Sequence, residues 1–493
     1  MRGAAALCTL GTALLSALPV INAIELVARD SPHVVGLEIQ RKHVPNPIER
    51  DRLRKRAKVV SQILDNEKTL YFCNITLGTP EQHLRMHIDT GSSDLWCNTP
   101  NSTFCSQNDK PCNYAGAYDP MASSTYQLVS TDFNISYVDG SGALGDYVKD
   151  TLRMGSATLD DFQFGLGYQS SSAAEGVLGI GYPINEVQVG RNGKSPYPNL
   201  PYALVGAGYI NSPAYSLWLN DLQANTGSIL FGGVDTKKFY GMLHTLPIIP
   251  TRAGIYSELV IALTGVSLET NNGIKTLGAS NLPVPTLLDS GSSLCYLPNR
   301  LVAELYRTIH ATYDPEIGAA FVPCRLMHEK VAVTFTFSEP AITVPMDELV
   351  LDLGPNPDGT RPTFSNGELA CVFGISPAGD GISILGDTFL RSAYVVYDLD
   401  NNEISLARTN FNSTGEQILE ITKGPDGVPS ATGVDGAIST GDLSGTGGGP
   451  INGPSVTAST VSSTAFAMRT AHPDIHLGAL AGLAGAGVVY AMM

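Results

Sequence analysis

Two copies of a short motif carry the side chains in this sequence that are best suited to chemistry. Residues 89–93 read DTGSS and residues 289–293 read DSGSS, and each copy follows an apolar run. An Asp at the end of an apolar strand, turned outward where a Gly lets the backbone approach closely, presents its carboxylate on a rigid support. If the chain folds as two related lobes, Asp89 and Asp289 meet where the lobes meet.

Paired carboxylates of this kind support acid and base catalysis in one site. Two adjacent carboxylates do not both ionise easily, so the pKa of one rises and the pKa of the other falls. A water held between Asp89 and Asp289 then becomes the nucleophile, without a metal or a covalent intermediate. Hydroxyl groups of both motifs are expected to donate hydrogen bonds that fix these carboxylates: Thr90, Ser92, Ser290 and Ser292.

The elements around the motifs are predicted to be mostly β-strands. Between residues 70 and 408, short runs of Val, Ile, Leu, Tyr and Phe show alternation and are broken by Gly, Pro, Asn and Ser. Residues 201–207 and 301–311 are predicted to form short helices. The long separation of the two motifs favours a duplicated lobe over a solenoid, whose repeat would be far shorter.

The two motifs and their surroundings resemble the pepsin-like aspartic proteases. Other segments look like the family's first strand and turn, its flap hairpin, and the hydrophobic-hydrophobic-Gly elements behind its catalytic loops, at residues 71–80, 135–142, 176–181 and 384–391. The resemblance covers roughly residues 70–410 in the family's order. It implies a mostly β, bilobal pepsin-like aspartic protease fold, with the active site between two related β lobes. The C-terminal segments described below make the chain resemble most the fungal GPI-anchored, yapsin-like branch of the family.

The resemblance implies a role for each matching residue. Asp89 and Asp289 would be the catalytic dyad of an aspartic endopeptidase acting at acidic pH, and Gly91 and Gly291 would offer backbone contacts to the substrate. The flap would contact the substrate through Tyr137, Asp139, Gly140 and Ser141. The hydroxyl of Tyr137 would be hydrogen-bonded to the indole N–H of Trp96. The alternative for Tyr137 and Trp96 is ordinary core packing.

Asp139 bears on cleavage specificity. An acid at this flap position resembles family members that accept Lys or Arg before the scissile bond. The alternative is a solvated turn residue next to Gly140. Profiling the cleavage of a peptide library separates these interpretations, because only the first predicts a preference for basic residues.

The cysteines divide into two groups. The sequence has eight Cys, of which Cys8 falls in the predicted signal peptide. The resemblance implies disulfides between Cys105 and Cys112 and between Cys324 and Cys371. The remaining three lie in apolar strand contexts where a buried free thiol is the default, with a Cys73–Cys97 bridge as the alternative: Cys73, Cys97 and Cys295.

The N-terminal region is predicted to be removed in two steps. Residues 1–23 are typical of a secretory signal peptide, with a buried first helix as the alternative. Residues 24–56 are predicted to be a basic propeptide that lies across an acidic cleft and keeps the zymogen inactive. It ends in Lys55-Arg56, which resembles a site for a kexin-type processing protease, and a solvated charge run is the alternative. The catalytic lobes are assigned to residues 57–240 and 241–411.

The C-terminal region is predicted to tether the enzyme to a surface. Residues 412–463 are rich in Gly, Ser and Thr and are predicted to be a flexible stalk. Residues 464–493 end in a 17-residue uncharged stretch after a polar spacer, which is typical of a removed GPI-anchor signal with attachment at Ser462 or Ser463. A tail anchor or a weak transmembrane helix is the alternative. The expected location is the plasma membrane or cell wall.

The amino-acid composition restricts the classes of molecule that this protein can bind. Lys and Arg number 30 against 46 Asp and Glu, and this net charge of −16 excludes a general nucleic-acid binder. Residues 1–56 hold nine Lys/Arg and five Asp/Glu, which leaves 21 against 41, a net charge of −20, for the rest. We expect a monomer that acts on protein and peptide substrates. Four N-x-S/T sequons fit a secreted glycoprotein: Asn74, Asn101, Asn134 and Asn412.

Two other classes of protein share part of this pattern. A non-catalytic pepsin-fold binding or cell-wall protein would keep the fold without a working dyad. A glycosidase also uses two carboxylates, but it does not account for the repeated motif or the flap. The sequence has no HExxH, no GxSxG and no paired CxxC, so it offers no candidates for metal or serine chemistry, and no cofactor is expected.

Overall fold

The computed structural model describes ten stretches of the chain. They are residues 33–44, 67–137, 141–170, 175–224, 226–252, 254–278, 282–315, 317–352, 354–355 and 359–439. All of them belong to one compact unit, His33–Met493. The described part is mostly β, as the sequence predicts.

The N-terminal half contains 12 strands and two α-helices among its described residues. The strands are β1 (Val35–Val44), β2 (Glu67–Leu77), β3 (Gln82–Asp89), β4 (Leu95–Asn98), β5 (Gln127–Ser136), β6 (Gly142–Met154), β7 (Ala157–Ser170), β8 (Gly176–Gly179), β9 (Ala214–Trp218), β10 (Thr226–Phe231), β11 (Gly233–Asp235) and β12 (Phe239–Pro247). The helices are α1 (Val187–Asn192) and α2 (Leu200–Gly206). Short 3-10 helices span Pro111–Tyr114, Pro120–Ala122 and Pro183–Asn185.

The C-terminal half is built in the same way. Its strands are β13 (Val260–Leu263), β14 (Gly265–Thr270), β15 (Gly273–Leu277), β16 (Val284–Leu288), β17 (Cys295–Leu297), β18 (Thr312–Asp314), β19 (Ala319–Pro323), β20 (Ala332–Thr336), β21 (Ala341–Pro345), β22 (Val350–Leu351), β23 (Ala370–Phe373), β24 (Ile375–Pro377), β25 (Ser383–Leu385), β26 (Ala393–Asp398), β27 (Glu403–Thr409), β28 (Ile418–Glu420) and β29 (Ala431–Gly433). Its helices are α3 (Asn299–Ile309), α4 (Met346–Leu349) and α5 (Asp387–Leu390), with a 3-10 helix at Cys324–His328.

The two predicted helices are confirmed as α2 and α3. Helix α3 buries residues at helical spacing on one face, Leu301, Val302, Leu305 and Tyr306. It ends where His310 adopts a left-handed φ of 58°. No helix in the described stretches is long and apolar enough to cross a membrane.

The strands form one large sheet and several small ones. The large sheet has 14 strands in the order β29-β12-β27-β26-β9-β10-β1-β2-β3-β8-β4-β7-β6-β5, so it draws on both halves of the chain. A second sheet, β13-β16-β25-β17-β24, carries the second motif. Two four-stranded sheets, β15-β14-β20-β21 and β18-β19-β23-β22, and the pair β11-β28 complete the fold.

The duplication predicted from the motifs is visible in the strand pairing. In the first half, β3 pairs in parallel with β8, and β8 pairs antiparallel with β4. In the second half, β16 pairs in parallel with β25, and β25 pairs antiparallel with β17. Each motif therefore lies in the turn that joins the two outer strands of the same three-stranded arrangement, β3 to β4 in the first half and β16 to β17 in the second.

Part of the predicted propeptide is a strand inside the large sheet. Strand β1 lies between β10 and β2, with Val35 opposite Phe231 and Gln40 opposite Phe72. The side chains of Val35 and Ile39 are buried in the main core. Residues 24–32 and 45–56 of the same predicted segment lie outside the described residues.

The first part of the predicted stalk differs from the expectation of a flexible segment. Strand β28 pairs with β11, and β29 pairs in parallel with β12. Ile421 and Val428 are buried in a cluster with Trp218 and Tyr394. A few apolar residues spaced along a Gly- and Pro-rich segment are therefore enough to attach it to the body. Residues 440–463 lie outside the described residues.

The cysteine predictions have a clear outcome. Disulfides join Cys105 to Cys112 and Cys324 to Cys371, as the resemblance implies. The other three cysteines of the described residues are buried free thiols, so a Cys73–Cys97 bridge is wrong. Burial raises the pKa of Cys73 to about 12 and that of Cys295 to about 11, which keeps both thiols protonated.

Candidate active site

Both motif aspartates lie at the ends of central strands. Asp89 is the last residue of β3, and Asp289 follows directly on β16. Backbone hydrogen bonds fix each turn to the neighbouring strand, from Ile180 N to Asp89 O at 3.0 Å and from Asp289 N to Leu385 O at 3.0 Å. The exposed fractions are 2% for Asp89 and 7% for Asp289. The strands thus hold both carboxyl groups in a site that is largely shielded from water.

The two carboxyl groups are held in the same way. Oδ1 of Asp89 accepts from Gly91 N at 2.8 Å, and its Oδ2 accepts from the Ser92 hydroxyl at 2.6 Å. Asp289 repeats this pattern with Gly291 N at 2.8 Å and the Ser292 hydroxyl at 2.6 Å. The predicted contribution of the two serines to fixing the carboxylates is therefore confirmed.

The other two hydroxyl residues act differently from the prediction. Thr90 Oγ1 donates to Leu288 O at 2.9 Å, and Ser290 Oγ donates to Ile88 O at 3.0 Å. Each hydroxyl oxygen also accepts from the other residue's backbone, at 3.0 Å from Ser290 N and 3.2 Å from Thr90 N. Thr90 and Ser290 therefore join the two catalytic turns to each other, and they do not bond the carboxylates.

The glycines of the motifs let the two aspartates approach. A Cβ atom at Gly91 would lie 2.6 Å from Oδ1 of Asp289, and one at Gly291 would lie 2.4 Å from Oδ1 of Asp89. Real Cβ atoms do not come so close to other heavy atoms. The close packing of each glycine against the opposite carboxylate places both carboxyl groups in one small volume, as paired acid and base catalysis requires.

The predicted flap contact is present. The hairpin of β5 and β6 closes with a hydrogen bond from Tyr137 N to Ser141 O at 2.8 Å. The Trp96 indole N–H donates to the Tyr137 hydroxyl at 2.7 Å. Trp96 is also buried among apolar neighbours, so hydrogen bonding and core packing both occur. The predicted flap residues Asp139 and Gly140 lie outside the described residues.

We expect Trp96→Phe to lower kcat/KM about fivefold with little loss of stability. Phe keeps most of the packing but removes the hydrogen bond that orients Tyr137, and a lost hydrogen bond costs about 1 kcal/mol. Steady-state kinetics and thermal unfolding measure the two effects. Trp218→Phe is the matched control, because the buried Trp218 indole N–H has no hydrogen-bond partner. Equal kinetic losses in both variants would contradict this assignment.

A buried acid behind the flap was missed by the sequence reasoning. Oδ1 of Asp94 accepts from the hydroxyls of Tyr147 at 3.0 Å and Tyr197 at 2.9 Å, and Oδ2 accepts from Val187 N at 2.9 Å. Tyr147 and Tyr197 belong to the cluster around Trp96. Asp94 therefore supports the aromatic base of the flap from within the first catalytic loop. The available signal was an acid placed directly before the apolar residues of β4.

A second buried acid adjoins this network. Oε2 of Glu186 accepts from Tyr197 N at 2.9 Å, while its Oε1 is buried without a hydrogen-bond partner. Burial raises the pKa of Asp94 above its ordinary value, and it raises the pKa of Glu186 to about 9. Glu186 is therefore a neutral carboxylic acid across the acidic and neutral range.

We expect this site to make the protein less stable as pH rises. An unfolded Glu loses its proton near pH 4.5, whereas Glu186 keeps its proton in the folded state up to about pH 9. Between these pH values the carboxyl group of Glu186 is protonated in the folded state and ionised in the unfolded state. The free energy of unfolding therefore falls by at most about 1.4 kcal/mol for each unit that the pH rises. Glu186→Gln should flatten the fall in unfolding free energy between about pH 5 and about pH 7. The exposed Glu269→Gln serves as control, and an unchanged slope in Glu186→Gln would contradict the prediction.

Comparison with known proteins agrees with this geometry. The family model for eukaryotic aspartyl proteases matches residues 70–409. A probable aspartic-type endopeptidase OPSB of Arthroderma benhamiae is 54% identical over 496 residues, covering 100% of both chains. A probable aspartic-type endopeptidase opsB of Aspergillus oryzae is 59% identical over 87% of this chain and 88% of its own. Aspartic proteinase yapsin-3 of Saccharomyces cerevisiae is 37% identical over 75% of this chain and 71% of its own.

Proposed function

This chain belongs to the pepsin-like aspartic proteases, and from that membership we propose an endopeptidase that cuts proteins at acidic pH through Asp89 and Asp289. The observation that carries the proposal is the mirrored pair of carboxyl groups, each held by a glycine N–H and a serine hydroxyl. Both aspartates and the flap contact are present, which favours catalysis over a non-catalytic binding role.

The proposed reaction uses one protonated and one ionised carboxyl group. The ionised carboxylate takes a proton from a water held between the aspartates while the water oxygen attacks the peptide carbonyl carbon. The protonated carboxyl group gives its proton to the carbonyl oxygen, which forms a neutral gem-diol. As the C–N bond breaks, the carboxyl group that took the water proton gives it to the leaving nitrogen, and the other carboxylate takes a proton from a gem-diol hydroxyl as the new carboxylic acid forms, so the dyad again holds one proton.

The test is cleavage of an unfolded protein by the processed chain near pH 4, close to the ordinary pKa of Asp. We expect internal cuts that a statine-type inhibitor blocks, because that inhibitor places a hydroxyl where the attacking water would lie. A processed chain that makes no cuts would overturn the assignment of both aspartates.

We also propose that the enzyme is made as a zymogen cut after Lys55-Arg56 by a kexin-type protease. Strand β1 supports this, since it fills a place between β10 and β2 and its loss exposes two strand edges. Blocking the cut with Lys55→Ala and Arg56→Ala should leave a chain that digests peptides far more slowly at low pH. If the uncut chain is as fast as the processed one, the segment has no inhibitory role.

We propose further that the enzyme is secreted and held at the cell surface by a GPI anchor. The composition of residues 464–493 supports this, with attachment at Ser462 or Ser463. Phosphatidylinositol-specific phospholipase should release the enzyme from intact cells. A chain that is ended before residue 464 lacks the anchor signal. It should appear in the medium without phospholipase treatment. Enzyme that stays with the cells after phospholipase treatment would count against the anchor.

The last part of the proposal concerns substrate choice. An acid at flap position 139 supports a preference for Lys or Arg before the cut. Matched peptides with Lys or uncharged norleucine at that position measure it directly. Asp139→Asn should remove the preference, and a preference for bulky apolar residues in the wild type would contradict it.

A further inference from the structure

Glu258 lies beside the second catalytic aspartate. Strands β13 and β16 are antiparallel, with Val260 opposite Leu287. The hydrogen bond from Leu288 N to Leu259 O at 3.1 Å continues this pairing by one step. Glu258 and Asp289 each lie one residue beyond this hydrogen bond, and the charge of Asp289 acts on Glu258, so the two carboxyl groups are near each other.

The carboxyl group of Glu258 lacks the partner that a buried acid normally has. Its Oε2 is buried and makes no hydrogen bond, although the residue as a whole is only partly buried. None of the ion pairs among the described residues includes Glu258. Burial and, to a smaller extent, the charge of Asp289 raise the pKa of Glu258 to about 7. The ionised form of this acid is the one that burial disfavours, so it gains most from a positive charge, and a bound cation favours its ionisation.

Glu348 is a buried acid whose cationic partner comes from the protein itself, and it serves as a comparison for Glu258. It is fully buried in the same half of the chain, and it is paired with Arg391. Glu258 has no such cation among the described residues, and it lies next to the carboxyl groups over which the substrate must pass. A positively charged side chain of the substrate would therefore supply the partner that Glu258 lacks among the described residues.

We propose that Glu258 is a specificity residue that binds the side chain of a Lys or Arg of the substrate, next to the scissile bond on the side of the C-terminal half. A guanidinium or ammonium group would satisfy the buried oxygen and neutralise the charge beside Asp289. The flap belongs to the N-terminal half, so Glu258 and Asp139 would recognise two different substrate positions. This inference rests on the proposed endopeptidase function.

The test uses peptide pairs that differ only by Lys or norleucine, placed in turn at three positions on each side of the cut. It is run at the highest pH at which the wild type still cleaves the norleucine peptide. For each position, the measured quantity is the ratio of kcat/KM for the Lys peptide to kcat/KM for the norleucine peptide. We expect Glu258→Gln to lower this ratio about tenfold at one position, which is not the position that responds to Asp139→Asn.

Two further variants test whether the preference depends on the charge at position 258. Glu258→Arg should reverse the preference at that position and favour a Glu peptide over a Gln peptide. Glu269→Gln removes an exposed acid of the same half and should leave all ratios unchanged. If Glu258→Gln changes no ratio, or changes all of them equally, the inference is wrong while the endopeptidase function stands. If the wild type cleaves none of the peptides, the proposed function itself fails.

Discussion

Asp289→Asn is expected to lower kcat about 10⁴-fold while the protein stays folded. The amide oxygen of Asn can still accept from Gly291 N, so the turn keeps its hydrogen bond. The amide group can neither take the proton of the attacking water nor donate an acidic proton to the carbonyl oxygen. Because Asp89 is held in the same way, Asp89→Asn should cost about as much, and the double variant should lose little more.

The matched control for this prediction is Asp235→Asn. Asp235 is also buried, and its Oδ1 accepts from the backbone N–H two residues later, Lys237, as Asp289 does from Gly291. We expect its activity to stay within about twofold of the wild type, because Asp235 is not part of the dyad and Asn keeps an oxygen that can accept from Lys237 N. Single-turnover kinetics with a fluorescent peptide and thermal unfolding are the measurements. Substantial activity in Asp289→Asn, beyond the level of a contaminating protease, would remove Asp289 from the catalytic step.

Arg391→Met is expected to destabilise the folded protein by about 3–5 kcal/mol. The exposed fractions of the Arg391 and Glu348 side chains are 0% and 3%. The Nε of Arg391 donates to Oε2 of Glu348, its Nη2 donates to Glu348 O at 2.5 Å, and Leu222 N donates to Oε1 of Glu348 at 2.9 Å. Burial raises the pKa of Glu348 and the charge of Arg391 opposes that rise. Without Arg391 the carboxyl group must be buried unpaired or take up a proton.

The pH dependence of this variant has a definite sign. Without the cation the pKa of Glu348 lies well above 4.5, the value for the unfolded chain, so the loss of stability grows as pH rises from there. Urea unfolding at several pH values measures it. The double variant with Glu348→Leu should recover most of the loss, since it removes the unpaired charge together with its partner. A loss below about 1 kcal/mol in Arg391→Met would show that the pair is not the buried ion pair described above.

The sequence was most informative where a residue's role depends on its own motif. The two Asp-Thr/Ser-Gly-Ser copies, the Tyr137 to Trp96 contact and the two disulfides depend on local patterns, and the structure places all of them as expected. These features repeat or sit at fixed spacings, so a single chain is enough to recognise them.

What the sequence did not reveal depends on contacts between distant strands. The hydroxyls of Thr90 and Ser290 were expected to bond carboxylates, but each turns to a carbonyl of the opposite half. Asp94 gains its role from a hydrogen bond with Tyr197, 103 residues further along the chain, and the proposed role of Glu258 depends on its nearness to Asp289. The attachment of residues 418–433 rests on a few apolar side chains, whose partners a composition count does not show.

The crossed hydrogen bonds of Thr90 and Ser290 also make the active site depend on the folding of both halves of the chain. Each catalytic turn receives part of its support from a backbone carbonyl that belongs to the other half of the chain. A chain in which only one half has folded therefore holds neither turn in its working position. Partly folded molecules are expected to be inert, so a newly made chain cannot damage neighbouring proteins before both halves have closed on each other.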